Sequence, residues 1–314
     1  MTLALRFPIS HKSGNLEEKW TFAKFAGVGR LHITVIASLG CFTFGWLFIG
    51  DYPWLLAGVC ALDWFLVNLG NRIADLDEDR ANSIAGSGFV YRNRRLLLGL
   101  WLVVLFSSLV TVHFLNRAIT PLRIAGHLLG LVYNWRLLPG RRRLKQLYFW
   151  KNNASGIAFL LTVFGYPLAT AGWGKGGHTF PAGITWGTVV FSAAFFFLFE
   201  LTYEVIYDLR DVRGDALARV RTYPVVHGLR TAEYIVDGLI FSSMAVLVVG
   251  YMFDFVPWRI FIMIAAPALQ YFVFKRALRR GISSKDCIRV TWMGAALLVT
   301  YHLWILLNLP GSRL

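Results

Sequence analysis

Nine apolar runs, each long enough to form a membrane-crossing helix of about 20 residues, dominate the 314-residue chain. They fall at about 31–50, 53–70, 96–115, 119–135, 153–172, 183–206, 233–253, 257–274 and 289–309. The fourth is interrupted by Arg123 and His127, and the eighth is short. Lys and Arg alternate between the connecting segments. The first thirty residues carry 5, and the loops after spans two, four, six and eight carry 5, 6, 5 and 6, so 27 of the 32 basic residues share one side. Arg117, Arg123, Lys175, Arg259 and Arg313 are left for the other. A span missed or added in mid-chain would destroy this alternation. The positive-inside rule therefore predicts nine crossings with a cytoplasmic N terminus and an outer C terminus.

Composition supports the same class. Only 16% of residues are charged and 56% are hydrophobic, whereas a soluble domain carries about a quarter charged residues. A net charge of +15 would suit a nucleic-acid binder if the basic residues shared a solvated surface with aromatics between them. Here they sit in short clusters between apolar runs, so no nucleic-acid partner is expected and the lipid bilayer is. Cys41, Cys60 and Cys287 are too scattered for a disulfide framework or zinc site. Residues 1–30 show no signal-peptide pattern, and 15–28, with Trp20, Phe22 and Phe25 among charges, reads as an interfacial helix on the cytoplasmic surface. With no long linker or low-complexity tract, the expectation is one all-α membrane domain over 1–314.

Two acidic segments carry the chemistry. Span two runs into Asn68-Leu-Gly-Asn71-Arg-Ile-Ala-Asp75-Leu-Asp-Glu-Asp79. At about 100° per residue, Asn71, Asp75 and Asp79 lie within about 80° of one another. Asn68 and Glu78 share that face; Asp77 points elsewhere. Span six runs into Glu204-Val-Ile-Tyr-Asp208-Leu-Arg-Asp211-Val-Arg-Gly-Asp215. Glu204, Asp208, Asp211 and Asp215 fall in an arc of about 60° if the helix continues past Gly214. Asp75 to Asp211 and Asp79 to Asp215 are both 136 residues apart, as a duplicated four-helix unit would have them. Carboxylates crowded at a membrane boundary repel one another and resist desolvation. A shared cation relieves both, and Mg²⁺ suits such a set because it binds through a few carboxylates plus substrate phosphate. The competing reading is solvated loop acids paired with Arg72, Arg80, Arg210 and Arg213. Asp63 and Asp237 lie inside predicted spans, where they either contact a substrate or make structural hydrogen bonds.

These segments resemble the UbiA superfamily of membrane prenyltransferases. Asn71, Asp75 and Asp79 match its N-x-x-x-D-x-x-x-D motif; Asp208, Asp211 and Asp215 match D-x-x-D-x-x-x-D, followed by Arg221-Thr-Tyr-Pro-Val-Val-His-Gly228. Tyr133, Arg143-Leu-Lys145, Lys151-Asn152 and Gly165-Tyr-Pro167 are similar to the segment around and after the family's fourth span. Arg72, Asn134–Pro139, Arg30-Leu31 and Val220-Arg221 depart from the usual pattern, so the subfamily stays open.

The resemblance implies an Mg²⁺-dependent prenyltransferase with nine helices around a pocket for an isoprenoid diphosphate. Asp75, Asp79, Asp208, Asp211 and Asp215 would be the metal ligands. Asn68, Asn71, Arg72, Arg143, Lys145 and Asn152 would bind diphosphate. Lys145 and Lys151 would stabilise the leaving group, and Tyr133, Tyr203 and Tyr207 would face the carbocation. The partner molecules would be the diphosphate and a lipophilic acceptor, either an aromatic quinone precursor or a lipid. The site would open to the cytoplasm from the cell (inner) membrane. Two alternatives are a terpene cyclase of the same superfamily, which needs no acceptor, and a cation-coupled transporter, which usually keeps its charges near the bilayer midplane.

Overall fold

In hydrocarbon every backbone polar group must be satisfied within its own segment, which leaves a long apolar run little choice but helix. The computed structural model describes residues 26–81, 84, 86–172 and 180–310. Among these residues there are helices and no strand, only the isolated bridge Leu138–Arg142. The predicted interfacial helix at 15–28 lies outside the described residues except for 26–28.

In chain order the helices are α1 Leu31–Ile49, α2 Trp54–Ala74, α3 Leu76–Ala81, α4 Ser87–Arg92, α5 Arg94–Leu115, α6 Thr120–Asn134 and α7 Trp150–Leu160. They continue with α8 Tyr166–Thr170, α9 Trp186–Leu217, α10 Tyr223–His227, α11 Leu229–Met252, α12 Trp258–Phe261, α13 Ala265–Leu278 and α14 Ser284–Leu306. α7 and α8 form one rod through a π turn at Leu161–Gly165, and α12 and α13 form another through a 3₁₀ turn at Ile262–Ile264. Among the described residues eight helical rods are long and apolar enough to cross a membrane. The fourth predicted span is α6, whose 15 residues reach only about 22 Å, extended by a 3₁₀ turn at Arg117–Ile119.

The weakness of that span in the sequence has a physical explanation. Asp63 on α2, 3% exposed, receives the Arg123 guanidinium through Nε (2.9 Å) and Nη2 (2.6 Å). His127 Nε2 lies 3.0 Å from the same carboxylate, and Tyr166 Oη donates to it at 2.7 Å. Arg123 Nη1 also donates to the Ser108 carbonyl at 2.9 Å. The residues that spoil the hydropathy of α6 thus form a closed polar knot tying α2, α5, α6 and α8 together. Asp63 is structural in this arrangement. Asp237 pairs with Lys275 at 2.6 Å, linking α11 to α13.

The core lies among α1, α2, α7 and α9, with Trp64 stacked on Phe159 at 3.8 Å and its indole N–H bonded to Thr162 at 3.0 Å. With lipid no less apolar than a protein interior, close packing holds such bundles together. Gly156 permits it here, since a Cβ there would sit 2.7 Å from the Phe197 ring. Leu96, Val103, Phe106 and Phe114 of α5 are exposed, the pattern of a lipid-facing helix.

Candidate active site

Both acidic segments converge on one cavity. Its wall includes Asn68, Asn71, Asp75, Glu78 and Asp79 from the α2–α3 side and Glu204, Asp211 and Asp215 from α9. α9 continues unbroken to Leu217, past Gly214, and of the four acids that helical spacing puts on one face Glu204, Asp211 and Asp215 border the cavity while Asp208 does not. The first segment differs from expectation. Asp75 leaves the helical region (φ −100°, ψ 23°), and the chain restarts as the short α3. This bend keeps Glu78 on the cavity wall with Asp79, while Asp77 is exposed.

Asp75, Glu78, Asp79, Asp208 and Asp211 are each met by a base. Lys145 Nζ lies 2.6 Å from Asp75 and also bonds Glu78. Arg143 donates to Asp75 at 3.1 Å and to Glu78. Arg72 holds Asp79 at 2.8 Å and the Gly27 carbonyl at 3.0 Å. On the other side Lys151 bonds Asp208, which also accepts from Asn152 at 3.0 Å, and Arg210 chelates Asp211. Ser155 donates to Glu204 at 2.7 Å. With the Asn71 amide turned to satisfy both of its ends, its nitrogen donates to Asp75 (2.5 Å) and Asn134 (2.6 Å), and its oxygen accepts from Arg30. Burial pushes the Asp75 carboxyl above the usual carboxylate range; neighbouring Lys145 opposes this and Glu78 adds to it.

The expected site residues therefore separate into two layers. Asn68, Asn71, Asp75, Asp79, Asp211, Asp215, Lys145, Lys151, Tyr133, Tyr203 and Tyr207 all border the cavity. Arg72, Arg143, Asn152 and Asp208 do not. They stand behind it, where they hold Asp79, Asp75 and Lys151 in place. Helical phase alone could not foresee this, because Asp208 (1% exposed) is turned toward α7 by Lys151 and Asn152. Arg30, Asn134 and Ser155 reach the cavity from other elements, a proximity that sequence spacing does not encode. Glu200, a carboxyl within the apolar run of span six, also borders it. That break in hydropathy was its available signal.

Among the described residues no three acids, imidazoles or thiols form a ready-made metal cage. The donor set is nonetheless all oxygen, and Asp215 Oδ2 is buried without a partner, as is Asn68 Nδ2. That composition fits Mg²⁺, which is commonly bound by one or two carboxylates together with phosphate rather than by a complete protein cage.

A second cavity shares Ile36, Phe159, Glu200 and Tyr203 with the first and is otherwise almost wholly apolar, bordered by Phe44, Phe195, Phe199, Met263, Leu297 and Leu298 among others. A charged basin thus adjoins an apolar chamber.

The sequence profile of the UbiA prenyltransferase family matches residues 31–298. The chain belongs to this family. It is an integral, multi-pass membrane protein. No curated protein matches it in sequence. Its fold is similar to that of a UbiA homologue from Archaeoglobus fulgidus bound to DMAPP and Mg²⁺, with 16% identity, a TM-score of 0.65, and coverage of 89% of this chain and 98% of that one. An apo UbiA homologue from Aeropyrum pernix K1 gives 15% identity and a TM-score of 0.60 over 87% and 98% of the two chains. A digeranylgeranylglyceryl phosphate synthase structure gives 17% identity and a TM-score of 0.54 over 90% and 95%. At these identities the likeness is one of fold, and all three extend the UbiA architecture over nearly the whole chain.

Proposed function

We propose that this UbiA-family chain transfers a prenyl group from an isoprenoid diphosphate to a lipophilic acceptor. The observation that carries this reading is the joining of an acid- and base-lined cavity to an apolar one through shared walls. Such a pair suits a molecule with a polyanionic head and a hydrocarbon tail. The Archaeoglobus fulgidus structures with DMAPP or geranyl diphosphate (GPP) and Mg²⁺ support it by fold.

Asp75, Asp79, Asp211 and Asp215 would hold Mg²⁺, which when bound neutralises charge building up on the departing diphosphate. Lys145 and Lys151, reaching the cavity from opposite acidic groups, would turn ammonium hydrogens toward diphosphate oxygens. Arg143 and Asp208 would orient those carboxylates and lysines from behind. As the allylic C–O bond breaks, positive charge grows on carbon beside the faces of Tyr133, Tyr203 and Tyr207, which stabilise it without reacting.

The acids gather at one end of the bundle rather than at its middle, which argues against a transporter. Loop charge supports a cytoplasmic orientation for that end. The test is incubation of purified protein with labelled farnesyl or geranylgeranyl diphosphate, Mg²⁺ and a panel of lipophilic acceptors. Labelled adduct is expected. Hydrocarbon formed without acceptor would indicate cyclisation, and diphosphate release insensitive to Mg²⁺ would overturn the shared mechanism.

A further inference from the structure

Glu200 lies on α9 within the apolar stretch Phe195-Phe-Phe-Leu-Phe-Glu200-Leu-Thr-Tyr203. It is 8% exposed, borders both cavities, and forms no hydrogen bond or ion pair with any described residue. Every other carboxyl on the cavity wall except Asp215 has such a partner; its neighbour one turn away, Glu204, is held by Ser155 at 2.7 Å. Tyr203 borders the same two cavities, and its hydroxyl is buried without a partner. Gly294 makes room for that hydroxyl, since a Cβ there would stand 2.7 Å from Tyr203 Oη.

An acid that serves the fold inside a membrane is paired, as Asp63 is. Leaving the Tyr203 hydroxyl buried without a partner costs free energy, and the Glu200 carboxyl has only the two cavities to face. Their location at the neck between the two cavities adjoins the region where the reading above puts the reacting carbon, between the diphosphate and its tail.

We infer that Glu200 and Tyr203 form the docking point for a neutral hydroxyl on the acceptor, with Glu200 as the base that takes its proton. This rests on the prenyl-transfer reading. The Tyr203 hydroxyl donates to the acceptor oxygen while that oxygen donates to the Glu200 carboxylate. The allylic C–O bond breaks with its electron pair going to the diphosphate. The acceptor O–H bond breaks with its proton going to Glu200, and the pair left on oxygen forms the new C–O bond, giving an ether. An acceptor presenting a carboxylate at this point meets the Glu200 carboxyl, which forms no ion pair with any described residue, so the neck selects against it.

The test uses the purified full-length chain in detergent with Mg²⁺ and labelled geranylgeranyl diphosphate. Paired acceptor probes share an apolar body: 2-naphthol against 2-naphthoic acid, and dodecanol against dodecanoic acid. The wild type is expected to prenylate the hydroxyl probes and not the acids. Glu200→Gln should bind Mg²⁺–diphosphate with unchanged affinity and melt like wild type, yet lose turnover by about 100-fold or more, as for removal of a general base. Glu200→Asp, which keeps the carboxyl, should recover part of that loss, and Tyr203→Phe should mainly raise the acceptor KM. Glu200→Gln turnover within threefold of wild type overturns the assignment and leaves prenyl transfer standing. Wild type that uses the acids, or neither hydroxyl probe while still binding diphosphate, overturns it as well. Wild type that fails to bind Mg²⁺–diphosphate removes the prenyl-transfer reading itself.

Discussion

Two buried charge clusters in this protein look alike in composition and differ in completeness. The Asp63 knot brings Arg123, His127 and Tyr166 onto one carboxylate and fills it. The basin between α2–α3 and α9 pairs most of its acids with bases, but it surrounds a cavity on whose wall Asn68 Nδ2 and Asp215 Oδ2 lack partners. Buried polar atoms in native proteins are nearly always satisfied, so unmet valences concentrated around a cavity indicate a ligand, whereas a saturated cluster indicates architecture. The same residue types, aspartate and arginine, serve both ends.

Perturbing the two clusters should therefore separate activity from stability. The largest effect expected is on turnover: Asp75→Ala or Asp211→Ala should lower prenyl transfer by about 10³-fold, the scale of removing electrostatic stabilisation at a reacting charge, with the melting temperature in detergent kept. Near-normal rates in either variant would contradict their assignment to the diphosphate site. Asp63→Ala should do the reverse, costing about 3–5 kcal/mol by leaving Arg123 buried and unpaired. Denaturant titration in detergent would read that loss; folded molecules should bind Mg²⁺–geranylgeranyl diphosphate with wild-type affinity, and weakened binding would dissolve the contrast.

Metal removal sharpens the comparison from another side. EDTA should stop turnover and excess Mg²⁺ restore it, while the substrate-free protein melts at the same temperature throughout; a drop in melting temperature would mean that the basin also holds the fold together. A smaller effect is expected behind the wall. Asn152→Ala removes one hydrogen bond to a charged carboxylate, worth about 1.5–3 kcal/mol, and should slow turnover about tenfold in a single-turnover assay. An undiminished rate would show that Asp208 needs no such support. Smallest of all, Asp77→Ala, at an exposed position one residue from the site, should shift stability by no more than about 0.5 kcal/mol and leave steady-state rate constants unchanged.

Hydropathy and loop charge made most of the architecture legible, and helical phase gathered into two faces acids that, except for Asp208, border one cavity. α6 was the weak point because hydropathy scores Arg123 and His127 as polar without knowing that Asp63 waits across the helix interface. Arg143, Asn152 and Asp208 lie in segments that match the family and Arg72 departs from its pattern, yet the place of all four behind the cavity depends on which neighbour each side chain meets. Such partnerships span as many as 68 residues of chain, as between Arg143 and Asp75, and leave no trace in local spacing. The bend at Asp75 was hidden for a similar reason, since no glycine or proline marks it.

That bend makes the two sides of the basin mechanically unlike. α9 is a single rod of 32 residues, about 48 Å long against a hydrocarbon thickness of about 30 Å, so its acids stand on a beam anchored through the membrane. The facing acids hang from a six-residue helix joined to α2 through the backbone of Asp75. Moving the beam would mean breaking successive backbone hydrogen bonds; moving the short arm would mean breaking its ion pairs with Arg72, Arg143 and Lys145. The basin thus has one wall carried on a membrane-spanning rod and the other on a short helix whose own ion pairs hold it in place.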